Sequence, residues 1–191
     1  MRSTIRFLVI ALLVFFAAGA LPAQQKAPAK NSPNLLLPPS EDLSRAWNGV
    51  MGKLVTMAQD FPENKYDFKV QKDQRTFAEN LLHVSGDAFL TVSAVKGSPV
   101  GPKFEGEGPS RANYKTKADV VKLIKDAVAA GAAVIKAQGN AGLNKPVLSP
   151  FSADPVRVST LWWSVIEDSG EHYGQLVVYY RANNMVPPAS R

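Results

Sequence analysis

One short stretch of the chain places an acid and a histidine one helical turn apart. The stretch EDSGEHYGQLVVYYR contains Asp168 and His172, and their i, i+4 spacing puts both side chains on one face of a helix. Val165 and Leu176 fall on the same side, so the pair points toward a protein interior. Buried acids and imidazoles need partners, and both are ligands for divalent metal ions. The spacing therefore indicates either a metal site or a hydrogen-bonded structural pair.

The remaining candidates for chemistry are few. His83 is the only other histidine, and on its own helical wheel it lies opposite the apolar stripe and near Asp87, so periodicity alone predicts that it faces solvent. No catalytic residue can be assigned; Glu167 and Glu171 are the acids that could act as a general base. The absence of cysteine excludes a cysteine nucleophile, a thiolate zinc site and a lipoprotein anchor.

Hydrophobic periodicity predicts four long helices that would position these residues. Ser40 is the expected N-cap of the first, and Thr116 with Asp119 forms an expected capping box at the third. No segment shows the alternation of a strand. The four predicted helices run from Ser40 to before Phe61, over 75–97, from Lys117 to about Gln138, and from about Val158 to Ala182.

Four amphipathic helices in one domain predict an all-α fold, a four-helix bundle. The long connection between helices 2 and 3 is rich in Gly and Pro, so it could carry a parallel crossover in place of a tight hairpin. Side chains at helical spacing are expected to fill one core. The residues predicted to be largely buried are Trp47, Phe77, Leu81, Ile124, Val128, Leu161, Val165 and Leu176.

The N-terminal residues have the pattern of a secretory signal peptide. Two arginines precede an apolar run, which is followed by small residues and a proline. We predict a signal peptide over 1–23 with cleavage after Ala23, or alternatively after Ala20, although an uncleaved anchor is a second interpretation. Residues 24–39 are interpreted as a flexible tether and 40–191 as the bundle. The expected location is periplasmic or extracellular, with no membrane insertion after cleavage.

The charge of the chain does not favour a nucleic-acid partner. The formal charge is +6, and removal of the two arginines of the signal peptide lowers it to +4. The lysines are scattered singly and do not form a basic stripe. We therefore expect no nucleic acid partner. The sequence leaves open whether the chain forms a homodimer.

Two segments resemble the signature segments of the DinB-like superfamily, particularly its exported bacterial members. They are RTFAENLLHV around His83 and EHYGQLVVYYRANNMVPPAS near the C-terminus, and the resemblance covers Leu43 to Arg191. It implies a four-helix bundle that holds a divalent metal through three histidines, one on the second helix and two in an H-x-x-x-H pair on the last. By position these ligands would be His83, Asp168 and His172.

Asp168 stands where that superfamily usually has histidine. Carboxylate is a ligand for zinc, nickel, iron and manganese, so a site of two histidines and one aspartate can persist, or the site can be degenerate. Characterised relatives include thiol-dependent S-transferases and isomerases. The resemblance thus implies an exported metal-dependent transferase or hydrolase acting on a small molecule that the sequence does not identify. The alternative is a non-catalytic helical binding module of the cell envelope.

Overall fold

Four α-helices build the part of the chain that the structure describes. This computed structural model describes residues 36–103, 108–152 and 154–191, and Leu36–Arg191 forms one compact unit. The predicted signal peptide and residues 24–35 of the predicted tether lie outside the described residues. The helices are α1 (Pro39–Asp60), α2 (Phe77–Lys96), α3 (Lys117–Gly142) and α4 (Val158–Ala182). The predicted four-helix fold is confirmed.

Local signals set most of the helix ends. The predicted capping box at Thr116 and Asp119 opens α3. The predicted N-cap at Ser40 is wrong, because α1 begins one residue earlier at Pro39, where proline suits the first helical position. The backbone N–H of Ser40 donates instead to Oδ1 of Asn140, at 2.9 Å. The regular part of α3 ends near the predicted residue, since Gly139 has a non-helical backbone before one last turn.

Contacts between the helices establish their directions. Trp47, near the start of α1, packs edge-on against Trp162, near the start of α4, with ring centroids 5.3 Å apart. At the other end, the Tyr180 hydroxyl of α4 donates to the carbonyl of Met57 in α1, at 3.1 Å. The first and last helices therefore run parallel.

The other two helices both run against α1. Phe77, the first residue of α2, stacks on Phe61, the residue that follows α1, with ring centroids 3.9 Å apart. The ammonium group of Lys117, the first residue of α3, donates to the carbonyl of the same Phe61, at 2.8 Å. Because α2 and α3 begin at the same end of the bundle, they are parallel. The connection 97–116 is thus a crossover, as its length allowed.

The core is continuous between the helices and agrees with the prediction in all but one position. Val128 is only half-buried, and its carbonyl accepts a hydrogen bond from the Trp47 indole at 3.1 Å. Gly131 makes room for the same indole, because a Cβ there would lie 2.3 Å from the Trp47 ring. The predicted core residues that are buried are Trp47, Phe77, Leu81, Ile124, Leu161, Val165 and Leu176.

A small hairpin between α3 and α4 was not predicted. Strands β1 (Pro146–Leu148) and β2 (Pro155–Arg157) pair antiparallel, with Val147 opposite Val156. Each strand has three residues and begins with proline, so it is too short to show alternation and carries a residue depleted in strands.

Among the residues that the structure describes, no helix is both long enough and apolar enough to cross a membrane.

Candidate metal centre

Three side chains from two helices bring their donor atoms together. His83 comes from α2, and Asp168 and His172 come from α4. One donor atom of each lies within 4.8 Å of the others. On α4, Nε2 of His172 is 3.7 Å from Oδ1 of Asp168, as one helical turn allows. The His172 side chain is only 5% exposed and that of Asp168 34%, so the cluster is anchored in the interior and reaches solvent at its acid.

The position of His83 differs from what periodicity predicts. Its side chain is 20% exposed and its ring centroid lies 4.8 Å from that of His172. The prediction of a solvent-facing His83 is wrong because α2 packs against both α3 and α4, so a face outside the main apolar stripe is covered by a second neighbour. The resemblance to the DinB-like segments had selected this residue, whereas the wheel had not.

Asn80 determines which nitrogen of His172 faces the cluster. The Asn80 amide nitrogen donates to the carbonyl of Thr76 at 2.9 Å, which leaves the amide oxygen as an acceptor. That oxygen lies 2.8 Å from Nδ1 of His172, so Nδ1 carries the proton and donates. Nε2 therefore keeps its lone pair on the side of Asp168. Orienting bonds of this kind are typical of metal-binding histidines. Sequence analysis missed Asn80, although a polar residue one turn before His83 in an apolar helix was a visible signal.

Asp87 is a further polar residue beside the cluster, and sequence analysis gave it no role in the site. Its Oδ2 is 3.4 Å from Nε2 of His83, one turn earlier on α2, and its side chain is 16% exposed. The two acids that sequence analysis offered as bases, Glu167 and Glu171, are both exposed on α4. Asp87 is thus a partly buried acid beside His83, as Asp168 is beside His172.

Burial dominates the electrostatics of the cluster. Burial, with smaller contributions from the neighbouring His83 and Arg75, lowers the pKa of His172 to about 4. The pKa of Asp87 is raised to about 6, mainly by burial; His83 and Arg75 oppose the rise, and Asp168 contributes to it. Burial also raises the pKa of Asp168, again opposed by His83 and Arg75. His172 is therefore neutral near neutral pH, which is the form that binds metals.

The donor atoms fit a divalent transition metal. Nδ1 of His83 and Oδ2 of Asp168 are buried and, within the described residues, have no hydrogen-bond partner. Imidazole nitrogen and carboxylate oxygen together suit zinc, nickel, iron and manganese. Ligands on a tetrahedral ion with bonds of about 2.1 Å are about 3.4 Å apart. The three donor atoms of this cluster lie somewhat farther apart than that, within 4.8 Å of one another.

Two clefts reach the cluster from the surface. One of about 480 Å³ ends at His83 and is lined by polar and charged side chains, among them Arg75 and Arg111. The other, of about 320 Å³, ends at both Asp87 and Asp168 and is lined elsewhere by apolar and hydroxyl side chains. Small molecules can therefore reach the cluster through the cleft at His83 and through the cleft at Asp87 and Asp168.

Comparison with known proteins supports the fold. A search against known protein families finds no match, and neither does a search of curated proteins. Among solved structures, a DinB-like protein from Bacillus cereus matches with a TM-score of 0.64 at 14% identity, covering 78% of this chain and 95% of that one. A conserved protein from Enterococcus faecalis matches with a TM-score of 0.52 at 15% identity, covering 75% and 95%. The chain has a DinB-like fold, and the predicted resemblance is confirmed at that level.

Proposed function

We propose that this protein is an exported metalloprotein that binds one divalent transition metal through His83, Asp168 and His172. We further propose that the metal serves a transferase or hydrolase reaction on a small molecule. The observation that carries the proposal is the meeting of three nitrogen and oxygen donors within 4.8 Å on two helices. The partnerless buried atoms of His83 and Asp168 support it, because such atoms are costly unless a ligand satisfies them.

Each residue has a separate task in this proposal. Asn80 keeps Nε2 of His172 unprotonated and pointed at the cluster. Asp168, on the partly exposed side, supplies negative charge that offsets part of the charge of the ion. The clefts at His83 and at Asp168 admit the small molecule. A bound divalent ion would supply Lewis acidity, which stabilises a thiolate or hydroxide nucleophile at neutral pH.

A second candidate function is a non-catalytic binding module of the cell envelope. The observation that favours it is that each histidine lies one helical turn from an acid, His83 from Asp87 and His172 from Asp168. Pairs at this spacing occur on helices without any metal. In that case the two clefts would bind a ligand directly.

Metal analysis of the purified mature protein distinguishes the two functions. Protein starting at Gln24, purified without chelator, is expected to contain about one equivalent of zinc, nickel, iron or manganese, and to regain one equivalent after stripping and reloading. The variant Asp126→Asn is a matched control, because Asp126 is an exposed acid in an i, i+4 pair with Lys122 on α3, outside the site. Wild-type protein that neither retains nor regains metal would favour the binding module.

Export has its own test. The full chain expressed in a bacterium with an outer membrane is expected to appear in the periplasm or the medium, with an N-terminus at Gln24, or at Leu21 if cleavage follows Ala20. Mass spectrometry of the intact protein identifies the cleavage site. A full-length chain in the cytoplasm would contradict export and leave the metal proposal untouched.

A further inference from the structure

We propose that Asp87 is a positioning residue for His83, so that His83 binds the metal through Nδ1 whereas His172 binds it through Nε2. Asp87 itself lies outside the ligand set. This inference rests on the proposed metal site and deepens it, because it assigns a different ring nitrogen and a different orienting residue to each of the two histidines.

The two ring nitrogens of His83 have different surroundings. Nε2 lies 3.4 Å from Oδ2 of Asp87, one helical turn later on α2. Nδ1 is buried and, within the described residues, has no hydrogen-bond partner. A neutral imidazole has a proton on one nitrogen and a lone pair on the other. Because a carboxylate attracts an N–H and repels a lone pair, Asp87 favours the proton on Nε2 and leaves the lone pair on Nδ1.

The length of this contact indicates how Asp87 acts on the ring. An ordinary N–H···O hydrogen bond is about 2.7 to 3.2 Å long, so at 3.4 Å the carboxylate acts mainly through its charge. Burial favours the same tautomer of His83. A proton on the buried Nδ1 would be a donor without an acceptor, which is costly, whereas a lone pair there is available to a metal ion. The tautomer that Asp87 favours is therefore the one that can bind metal through Nδ1.

His172 is oriented in the opposite sense by Asn80. The amide oxygen of Asn80 is 2.8 Å from Nδ1 of His172, which leaves Nε2 as the nitrogen that can bind metal. Both orienting side chains lie on α2, Asn80 about one turn before His83 and Asp87 one turn after it. In metal sites the ring nitrogen of histidine that does not bind the ion commonly donates to a carboxylate or a carbonyl oxygen. The α2 helix thus supplies an orienting group of this kind to each histidine.

The chain has only two histidines, so NMR of protein labelled with ¹⁵N in histidine reads both rings directly. In metal-free mature protein near neutral pH, His83 is expected to be protonated at Nε2 and His172 at Nδ1. After addition of ¹¹³Cd²⁺, splitting by cadmium is expected at Nδ1 of His83 and at Nε2 of His172. The variant His83→Gln assigns the two rings. Splitting at Nε2 of His83 would overturn the inference.

Variants of Asp87 separate the positioning role from a structural one. In Asp87→Asn the amide can turn either its oxygen or its nitrogen toward Nε2, so His83 is expected to show both tautomers. Its affinity for Cd²⁺ is expected to fall about 10- to 100-fold. Asp87→Glu keeps a carboxylate at the same helical spacing and is expected to recover a single tautomer and most of the affinity. Asp126→Asn, which changes an exposed acid on α3, is expected to match wild type in both measurements.

The outcomes distinguish this inference from the proposed metal site. If wild type binds Cd²⁺ and Asp87→Asn keeps a single His83 tautomer with unchanged affinity, Asp87 does not position His83 and only this inference fails. Weaker binding by Asp87→Asn with an unchanged tautomer would also overturn the positioning role, because the carboxylate would then act on the ion through its charge alone. If wild type binds no Cd²⁺, the proposed metal site fails together with the inference.

Discussion

The two histidine–aspartate pairs of the cluster have the same spacing but different surroundings. On α4, His172 is 5% exposed, and its ring is oriented by the 2.8 Å contact with Asn80. On α2, His83 is 20% exposed, and Nε2 of its ring lies 3.4 Å from Oδ2 of Asp87. The difference indicates that the α4 pair is preorganised by the fold, whereas the α2 pair has room to adjust. Four predictions test this contrast, beginning with the largest expected effect.

Removal of His172 is expected to abolish metal retention. His172→Ala deletes the oriented ligand and also leaves the Asn80 amide oxygen without its donor. We expect a loss of affinity of more than about a hundredfold, beyond the range for residues that only orient a ligand. The measurement is metal content after dialysis, with circular dichroism as a control for folding. His83→Ala is expected to lose less metal affinity than His172→Ala. A larger loss for His83→Ala would mean that the α2 pair, and not the α4 pair, is the better organised for metal binding.

Removal of Asn80 is expected to weaken the metal site without removing a ligand. Asn80→Ala frees the tautomer of His172, and a loss of about 10- to 100-fold in metal affinity is expected. It also leaves the buried Nδ1–H of His172 unpaired, which costs about 1 to 3 kcal/mol of folding free energy. Titration with Zn²⁺ and urea unfolding measure the two effects. Asn140→Ala is the matched control, because the Asn140 side chain also accepts a hydrogen bond, from the backbone N–H of Ser40, but at an exposed position. Unchanged affinity in Asn80→Ala would show that His172 needs no orientation.

The pH dependence of stability in the metal-free protein is expected to reveal opposing contributions from the two pairs. The pKa of His172 is lowered to about 4, so its contribution to stability is lost as the pH falls from 6.5 toward 4. The pKa of Asp87 is raised to about 6, so its contribution increases as the pH falls from 6 toward 3.8, and Asp168 acts in the same direction.

These contributions largely cancel in wild type between pH 6 and pH 4. In Asp87→Asn the contribution of His172 is less compensated, and stability is expected to fall by up to about 1.4 kcal/mol per pH unit over this range. Urea unfolding at several pH values measures the slope. If Asp87→Asn has the same slope as wild type, the pKa of at least one of the two groups is not shifted as described.

The smallest expected effect is that of Asp168→His. It changes the acid of the α4 pair to the histidine usual in the DinB-like superfamily, and the ligand position is partly exposed, so there is room for the ring. Metal affinity is expected to be preserved or to rise a few-fold, with a preference for zinc and nickel, because imidazole suits both. Loss of metal binding in a folded Asp168→His protein would mean that the carboxylate is essential, or that the cluster does not hold a metal.

Much of the fold could be predicted because the helical signals are local. The bounds of α4 and the capping box at Thr116 follow from nearby residues alone. The hairpin and the early start of α1 could not be predicted in this way, since three-residue strands carry no periodicity and Ser40 suggested a cap that Pro39 overrides.

The candidate site could be predicted only in part, again because only local signals are visible in the sequence. The α4 pair is visible in the sequence because Asp168 and His172 share a face with an apolar stripe. The sequence does not show that the α2 pair belongs to the site, because its side of α2 becomes covered only when α4 packs against α2. Asn80 contacts His172 across that interface, while Asp87 lies beside His83 on α2. No local pattern shows which polar residue of a helix meets which residue of its neighbour. Resemblance to a known family supplied His83, but not these two.

Anomalous diffraction from crystals of metal-loaded mature protein tests the central claim most directly. Data collected on both sides of the absorption edge of the bound metal locate the ion without any assumption about its ligands. The account predicts a single strong peak between α2 and α4, with a nitrogen of His83, a nitrogen of His172 and an oxygen of Asp168 at about 2.0 to 2.2 Å. A peak elsewhere on the protein, or no peak at this cluster in crystals grown with excess metal, would contradict it.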